Sequence, residues 1–292
     1  DMDLVIGKNV DLATYHTNIL KDTVMQNPEL MTYLDKATSR ILTAKYKLGL
    51  FDSEPKEIDP ETVNAGKEEH REFALELAEK SIIMLKNDNN LLPLDLSKIK
   101  SLAVIGPNAH EERPKKGTYK LLGGYSGLPP YYVSVLDGLK KKVGENVKIN
   151  YAKGCDIDSF SKDGFPEAVS AAKKSDAVVL VVGSSHKTCG EGGDRSDLDL
   201  YGVQKDLVEA IHKTGKPVIV VLINGRPLSI NYIAENIPSV LETWYGGMRA
   251  GDAVANVIFG DVNPGGKLTM SFPRSVGQVP VTYLERPDFI GS

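Results

Sequence analysis

From residue 98 onwards, short apolar runs alternate with helical stretches, and this alternation restricts the chain to few folds. The apolar runs are nearly continuous Val, Ile and Leu, as in parallel strands that are covered on both faces. The pattern predicts an α/β fold, a three-layer α/β/α sandwich around a mostly parallel sheet. The predicted strands are SLAVIG (101–106), VKINYA (147–152), DAVVLVVG (176–183), PVIVVLI (217–223) and SVLETWY (239–245). The predicted helices between them include GFPEAVSAAKKS (164–175), YGVQKDLVEAIHKTG (201–215) and MRAGDAVANVIFG (248–260).

The first part of the chain has a helical pattern. Apolar residues recur at helical spacing along 27–51, with a start signal at Asn27-Pro28 and a stop signal at Gly49. Residues 52–66 are polar with two prolines, which is typical of a linker. A second helix is predicted over KEEHREFALELAEKSIIMLKND (67–88). Its expected apolar face consists of Phe73, Ala74, Leu77, Ala78, Ile82 and Leu85.

Composition excludes several classes of protein. The net charge of −4 over 292 residues argues against a nucleic-acid-binding protein. No apolar segment approaches the roughly 18 residues that span a bilayer, so no membrane association is expected. The chain begins at Asp1 without a leader, and we expect it to belong to a longer protein. Cys155 and Cys189 form no CxxC pair, so no metal site is expected, and whether the two pair with each other stays open.

Polar loops follow three of the predicted strands, where α/β sheets commonly bind ligands. They begin GPNAH at 106, GSSHKTCGEGGDR at 183 and NGRPL at 224. The GPNAH loop admits either a phosphate cradle or a simple turn. We favour the turn, because neither GxGxxG nor a Walker lysine follows.

The loop GEGGDR (190–195) has the strongest chemical signal. Glu191 lies between glycines, so the backbone can approach a ligand closely there. A carboxyl group on such a loop can act as a general acid. The alternative is a solvated surface loop, which Arg195 would stabilise by pairing with Asp194, Asp197 or Asp199.

A second glycine-rich loop, LLGGYSG (121–127), contains Tyr125. An aromatic ring on a loop can stack on the apolar face of a sugar, and an ordinary loop aromatic is the alternative.

These motifs occur in the order that is found in glycoside hydrolase family 3, whose C-terminal part the chain resembles. The resemblance rests on seven segments: SIIMLKNDNNLLPL (81–94), AVIGPNA (103–109), GGYSG (123–127), DAVVLVVG (176–183), GEGGDRSDLDL (190–200), KPVIVVLINGRPLSI (216–230) and NPGGKLTMSFPRSVGQVPVTY (263–283). It is greatest to bacterial β-glucosidases and β-xylosidases of the family.

The resemblance implies the domain organisation. Residues 1–51 would be the end of a (β/α)8 catalytic barrel, and 67–283 the α/β sandwich domain. Residues 52–66 would link them, and 284–292 would be an interrupted tail. The rest of the barrel would be a missing partner domain.

The resemblance also implies a mechanism and a set of roles. The family hydrolyses β-glycosides with retention, using an Asp nucleophile on the barrel and a Glu general acid/base on the sandwich domain. The role of acid/base would fall to Glu191, and Tyr125 would line an outer sugar subsite. Asp194 and Arg195 would support the loop. The expected substrates are β-linked oligosaccharides or aryl and alkyl β-glycosides with a terminal glucosyl or xylosyl unit.

The family uses no cofactor, and its members commonly work in the periplasm or outside the cell. Two departures from the family pattern, Tyr201 in place of a proline and WYGGMRAGD (244–252), affect packing positions. The alternative functions are a non-catalytic sugar-binding or interaction module and a nucleotide-binding domain, and the latter lacks the phosphate fingerprint.

Overall fold

The computed structural model describes residues 10–52, 66–111, 122–123, 127, 129, 131–191 and 194–281, with side chains from residue 17 onwards. The chain divides into two compact units, residues 1–63 and 64–292.

The first unit is helical, as the sequence predicts. Helix α1 spans Val10–Gln26, a short 3-10 turn covers Pro28–Leu30, and helix α2 spans Met31–Lys47. The chain leaves α2 through Gly49, whose φ of +69° lies in the left-handed region that favours glycine. No residue of α2 is buried, so its apolar face is available for packing against another element.

The second unit contains a six-stranded sheet in the order β1-β6-β5-β4-β2-β3. All neighbouring strands are parallel except β1, which pairs antiparallel with β6. The strands are β1 Ile83–Asn87, β2 Ser101–Ile105, β3 Lys148–Ala152, β4 Ala177–Gly183, β5 Val218–Ile223 and β6 Ser239–Glu242. The five strands that the sequence predicts are all present.

Helices cover both faces of this sheet, which confirms the predicted α/β/α sandwich. The helices are α3 Glu68–Ser81, α4 Val135–Val143, α5 Phe165–Lys173, α6 Gln204–His212, α7 Asn231–Asn236 and α8 Ala250–Ile258. One face packs against α3, α4 and α8, and the other against α5, α6 and α7. Successive residues of β4 alternate between the two cores: Val179 belongs to the first and Leu180 to the second. Each fully buried Val or Leu contributes about 1.5–3 kcal/mol of transfer free energy.

The prediction for residues 67–88 was wrong in its second half. Helix α3 ends at Ser81, and 83–87 form strand β1 at the edge of the sheet. The expected apolar face is also incorrect, because Phe73 and Leu77 are more than half exposed whereas Ala78 is buried. The sheet imposes this arrangement: Leu85, expected on the helix, packs instead against the core on the α5 side.

Within the described ranges, no helix is long and apolar enough to cross a membrane.

Candidate active site

The loops after β2, β4, β5 and β6 leave the same edge of the sheet, because these strands are parallel. We use "β4 loop" for residues 184–203, which connect β4 to α6. This loop contains Glu191 and Arg195, the residues that the sequence singles out. The other loops pack against it and determine its position.

The first part of the β4 loop is a compact turn. The Ser184 N–H donates to the Ile223 carbonyl (2.7 Å), which joins the loop to the end of β5. The Cys189 N–H donates to the Ser185 carbonyl (2.9 Å), closing one helical turn, and the Thr188 hydroxyl accepts from the Ser185 N–H (3.0 Å). Glu191 follows this turn two residues later and is exposed. The Glu191 side chain is therefore exposed to solvent, and the turn that precedes it is held by hydrogen bonds.

The returning part of the loop is organised by Arg195. Its guanidinium donates to the Asp197 carboxylate (2.6 Å) and to the Asp199 carbonyl (2.9 Å). It also stacks on the Tyr201 ring, 5.0 Å from the ring centre, and only 9% of the side chain is exposed. Of the partners that the sequence allows, Arg195 pairs with Asp197, while Asp194 is exposed.

Cys189 joins the β4 loop to the loops after β5 and β6. The Arg226 Nε donates to the Cys189 sulfur at 3.4 Å. A Cβ added to Gly225 would lie 3.0 Å from that sulfur and 2.6 Å from Tyr245 Cε2, so only glycine fits between them. Burial raises the pKa of the Tyr245 phenol, which therefore stays neutral.

Neither Cys155 nor Cys189 is in a disulfide, and burial raises the pKa of the Cys155 thiol to about 12.

Gly123, which belongs to the glycine-rich sequence at 121–127, lies near the same edge. A Cβ on Gly123 would lie 2.8 Å from Tyr245 Cδ2, so Gly123 packs against the residue that also lies beside Gly225. Tyr125, two residues further on, lies outside the described residues, and its sugar contact stays a prediction.

The GPNAH loop after β2 has a packing role. Gly106 has a φ of +119°, and a Cβ there would lie 2.0 Å from the Val181 carbonyl oxygen. Asn108 is buried and donates through Nδ2 to the Ser184 carbonyl (2.9 Å). The glycine thus permits close approach to β4, which agrees with the turn interpretation.

A buried carboxyl group, Glu242, lies at the end of β6 and was not singled out from the sequence. Its Oε1 accepts from the Trp244 N–H (2.8 Å) and its Oε2 from Asn224 Nδ2 (3.0 Å). Burial raises the pKa of this carboxyl to about 8. Trp244 has a φ of +53°, which is rare for a residue with a large side chain. The hydrogen bond that its N–H donates to Glu242 stabilises this backbone conformation. The only signal in the sequence is one charged residue inside an apolar strand.

Within the described ranges, no group of three or more His, Cys, Asp or Glu side chains is arranged to hold a metal ion.

The sequence and the structure are similar to those of known proteins. Residues 82–290 match the glycosyl hydrolase family 3 C-terminal domain. A β-xylosidase of Formosa agariphila is 91% identical over 292 residues, which are 100% of this chain and 40% of that protein. A periplasmic β-glucosidase of Salmonella typhimurium is 39% identical over 96% of this chain and 39% of its own length.

Solved structures agree with these sequence relatives. A β-glucosidase from Erythrobacter marinus has a TM-score of 0.81 at 35% identity, over 94% of this chain and 40% of that one. A β-glucosidase from Listeria innocua in complex with glucose has a TM-score of 0.80 at 31% identity, over 93% of this chain and 37% of that one. The chain spans about two fifths of the length of these relatives. It belongs to glycoside hydrolase family 3, and it contains the C-terminal domain of that family.

Proposed function

We propose that this chain supplies Glu191 as the general acid/base of a retaining β-glycosidase. The enzyme would release terminal non-reducing β-D-xylosyl or β-D-glucosyl residues, with an Asp nucleophile from a barrel domain outside this chain. The observation that supports this best is an exposed Glu directly after a hydrogen-bonded turn at the carboxyl end of β4, in a family 3 chain. The names of the Formosa and Salmonella relatives support both sugars.

The chemistry needs two carboxyl groups about 5–5.5 Å apart. In the first step, Glu191 would donate its proton to the glycosidic oxygen while the nucleophile attacks the anomeric carbon and the aglycone leaves. In the second step, the Glu191 carboxylate would take a proton from water, which displaces the nucleophile and frees the sugar. A neighbouring carboxylate favours the protonated form of a general acid at neutral pH, because two like charges resist simultaneous ionisation.

The same proposal assigns the other predicted residues and segments. Tyr125 would stack on an outer sugar unit, and Asp194 with Arg195 would support the β4 loop. Residues 1–51 would complete the barrel, 52–66 would link it to the sandwich domain at 67–283, and 284–292 would begin a further segment. The Salmonella relative is named as periplasmic, which supports a periplasmic or secreted enzyme.

The test is Glu191→Ala in the full-length protein that contains this chain. With a phenyl glycoside, whose leaving group needs protonation, kcat/KM should fall by roughly 100-fold or more. With a dinitrophenyl glycoside, the first step needs no acid, and azide should restore turnover because it attacks the glycosyl-enzyme without a base.

The matched control is Glu145→Ala, an exposed Glu between α4 and β3 at the opposite edge of the sheet. This variant should leave kcat/KM unchanged for both substrates. Equal losses on both substrates in Glu191→Ala, without azide rescue, would contradict the acid/base role.

A further inference from the structure

Gln204 is a fully buried polar residue at the start of α6, immediately after the β4 loop. Burying an amide group is unfavourable unless its hydrogen-bonding groups find partners. The role of Gln204 can therefore be inferred from its hydrogen-bond partners.

The Gln204 side chain is bonded to both ends of the β4 loop. Its Oε1 accepts from the Gly183 N–H (2.9 Å), and its Nε2 donates to the Gly183 carbonyl (2.9 Å), so the amide is paired with both groups of the last residue of β4. Nε2 also donates to the Tyr201 carbonyl (3.2 Å) near the end of the loop. The longer contact with the Ile157 carbonyl (3.4 Å) must share one of the two Nε2 hydrogens.

This arrangement restricts the loop more than a contact at one end would. The strand end and the returning segment are bonded to one planar group, which fixes the distance between them. Arg195 stacks on the Tyr201 ring, so the same amide also supports the residue that organises the returning segment. Along the chain, Glu191 lies between the two anchored ends, eight residues after Gly183 and ten before Tyr201.

We propose that Gln204 is a positioning residue for the acid/base step: it orients Glu191 by fastening both ends of the β4 loop. The inference rests on the proposed role of Glu191. It concerns proton transfer to the leaving group, so it differs from a general contribution to folding.

The test is Gln204→Asn in the full-length protein. Asn keeps the amide but is one methylene shorter, so it cannot reach Gly183 and Tyr201 together. We expect kcat/KM for a phenyl glycoside to fall roughly 10- to 100-fold. For a dinitrophenyl glycoside, kcat/KM reports a first step that needs no acid, and it should fall less than about threefold.

Ser175→Ala is the matched control. Ser175 is buried, donates to the Ala171 carbonyl (2.9 Å) and accepts from Asn150 (2.8 Å), but it precedes β4 at the opposite edge of the sheet. It should lower Tm without changing the ratio of the two rates. A Gln204→Asn variant that lowers both rates equally would overturn the proposal, whatever its Tm.

Two further measurements keep the outcomes distinct. Glu191→Gln is assayed in parallel, because a failure of that variant to discriminate between leaving groups refutes the proposed function. Normal discrimination there, with none in Gln204→Asn, refutes only the role of Gln204. In the unmodified protein, the Gly183 N–H should exchange with solvent as slowly as the central amides of β4, and fast exchange would contradict the anchoring.

Discussion

At the scale of single residues, Glu242 has the least expected environment. It is a fully buried carboxyl with hydrogen-bond donors but no cationic partner among the contacts described above. Its pKa of about 8 means that the folded protein holds this proton to a higher pH than the unfolded chain, where the value is near 4.5. Folding therefore takes up a proton between these two values, and stability falls as pH rises through that interval.

Glu242→Gln should remove this pH dependence. Near pH 5, where both side chains are neutral, the variant should be about 1 kcal/mol less stable than the wild type. The hydroxyl oxygen of the protonated carboxyl can still accept a hydrogen bond, whereas the amide nitrogen of Gln faces a donor with its own N–H groups. Between pH 5 and 8 the free energy of unfolding of the wild type should fall by a few kcal/mol relative to that of the variant, since each pKa unit corresponds to about 1.4 kcal/mol. Urea denaturation at several pH values measures this difference in stability, and Glu145→Gln, at an exposed position, is the control. A difference that stays constant with pH would show that Glu242 is already ionised at pH 5.

Sequence reasoning at this scale finds residues with a local signature and misses those with distant partners. Glu191 and Arg195 stand in a recognisable loop, and the partner of Arg195 is two residues away. Gln204 is bonded to Gly183, 21 residues away, and Glu242 to Asn224, 18 residues away. Nothing in the local sequence indicates those pairs, because the sheet topology creates them.

At the scale of elements, the parallel strands and the helices α5, α6 and α8 were predictable, whereas β1, α4 and α7 were missed. Each central strand is a run of Val, Ile and Leu whose residues are buried. Strand β1 was missed because its apolar run directly follows helix α3, with only Ile82 between them and no Gly or Pro. Helix α7 has six residues, too few to show a period.

Helix α4 was missed for a different reason, because Gly138 in its middle weakens the helical signal. The structure explains this glycine. A Cβ at Gly138 would lie 2.1 Å from the carbonyl oxygen of Gly251 in α8, so two glycines allow α4 and α8 to pack closely.

The end of β4 gives a prediction at the same scale. Gly183 has a φ of +152°, and a Cβ there would lie 1.9 Å from the Ile223 carbonyl oxygen of β5. Gly183→Ala should therefore cost about 3 kcal/mol or more, because two backbones must separate. Gly215 also has a positive φ (+72°) but nothing within 4 Å, so Gly215→Ala should cost about 1–2 kcal/mol from backbone strain alone. Equal costs in chemical denaturation would contradict this explanation.

At the scale of the whole molecule, the proposed mechanism divides between two domains. The sandwich domain presents Glu191 from the β4 loop, and a retaining hydrolase also needs a nucleophile about 5–5.5 Å away. The chain spans 40% of the length of its Formosa relative. The resemblance places the nucleophile on the barrel and assigns it to no Asp in residues 1–51. The sequence thus predicts one half of a catalytic pair.

The last prediction follows from this division. Residues 1–292 alone should hydrolyse neither an aryl β-xyloside nor an aryl β-glucoside, because a general acid without a nucleophile forms no glycosyl-enzyme. The full-length protein should hydrolyse at least one of them, and Glu191→Gln should slow it. Release of the aryl alcohol is followed by absorbance, with circular dichroism to verify that the shorter chain is folded. Turnover by residues 1–292 that disappears in Glu191→Gln would place a nucleophile within this chain, and the two-domain site would then be wrong.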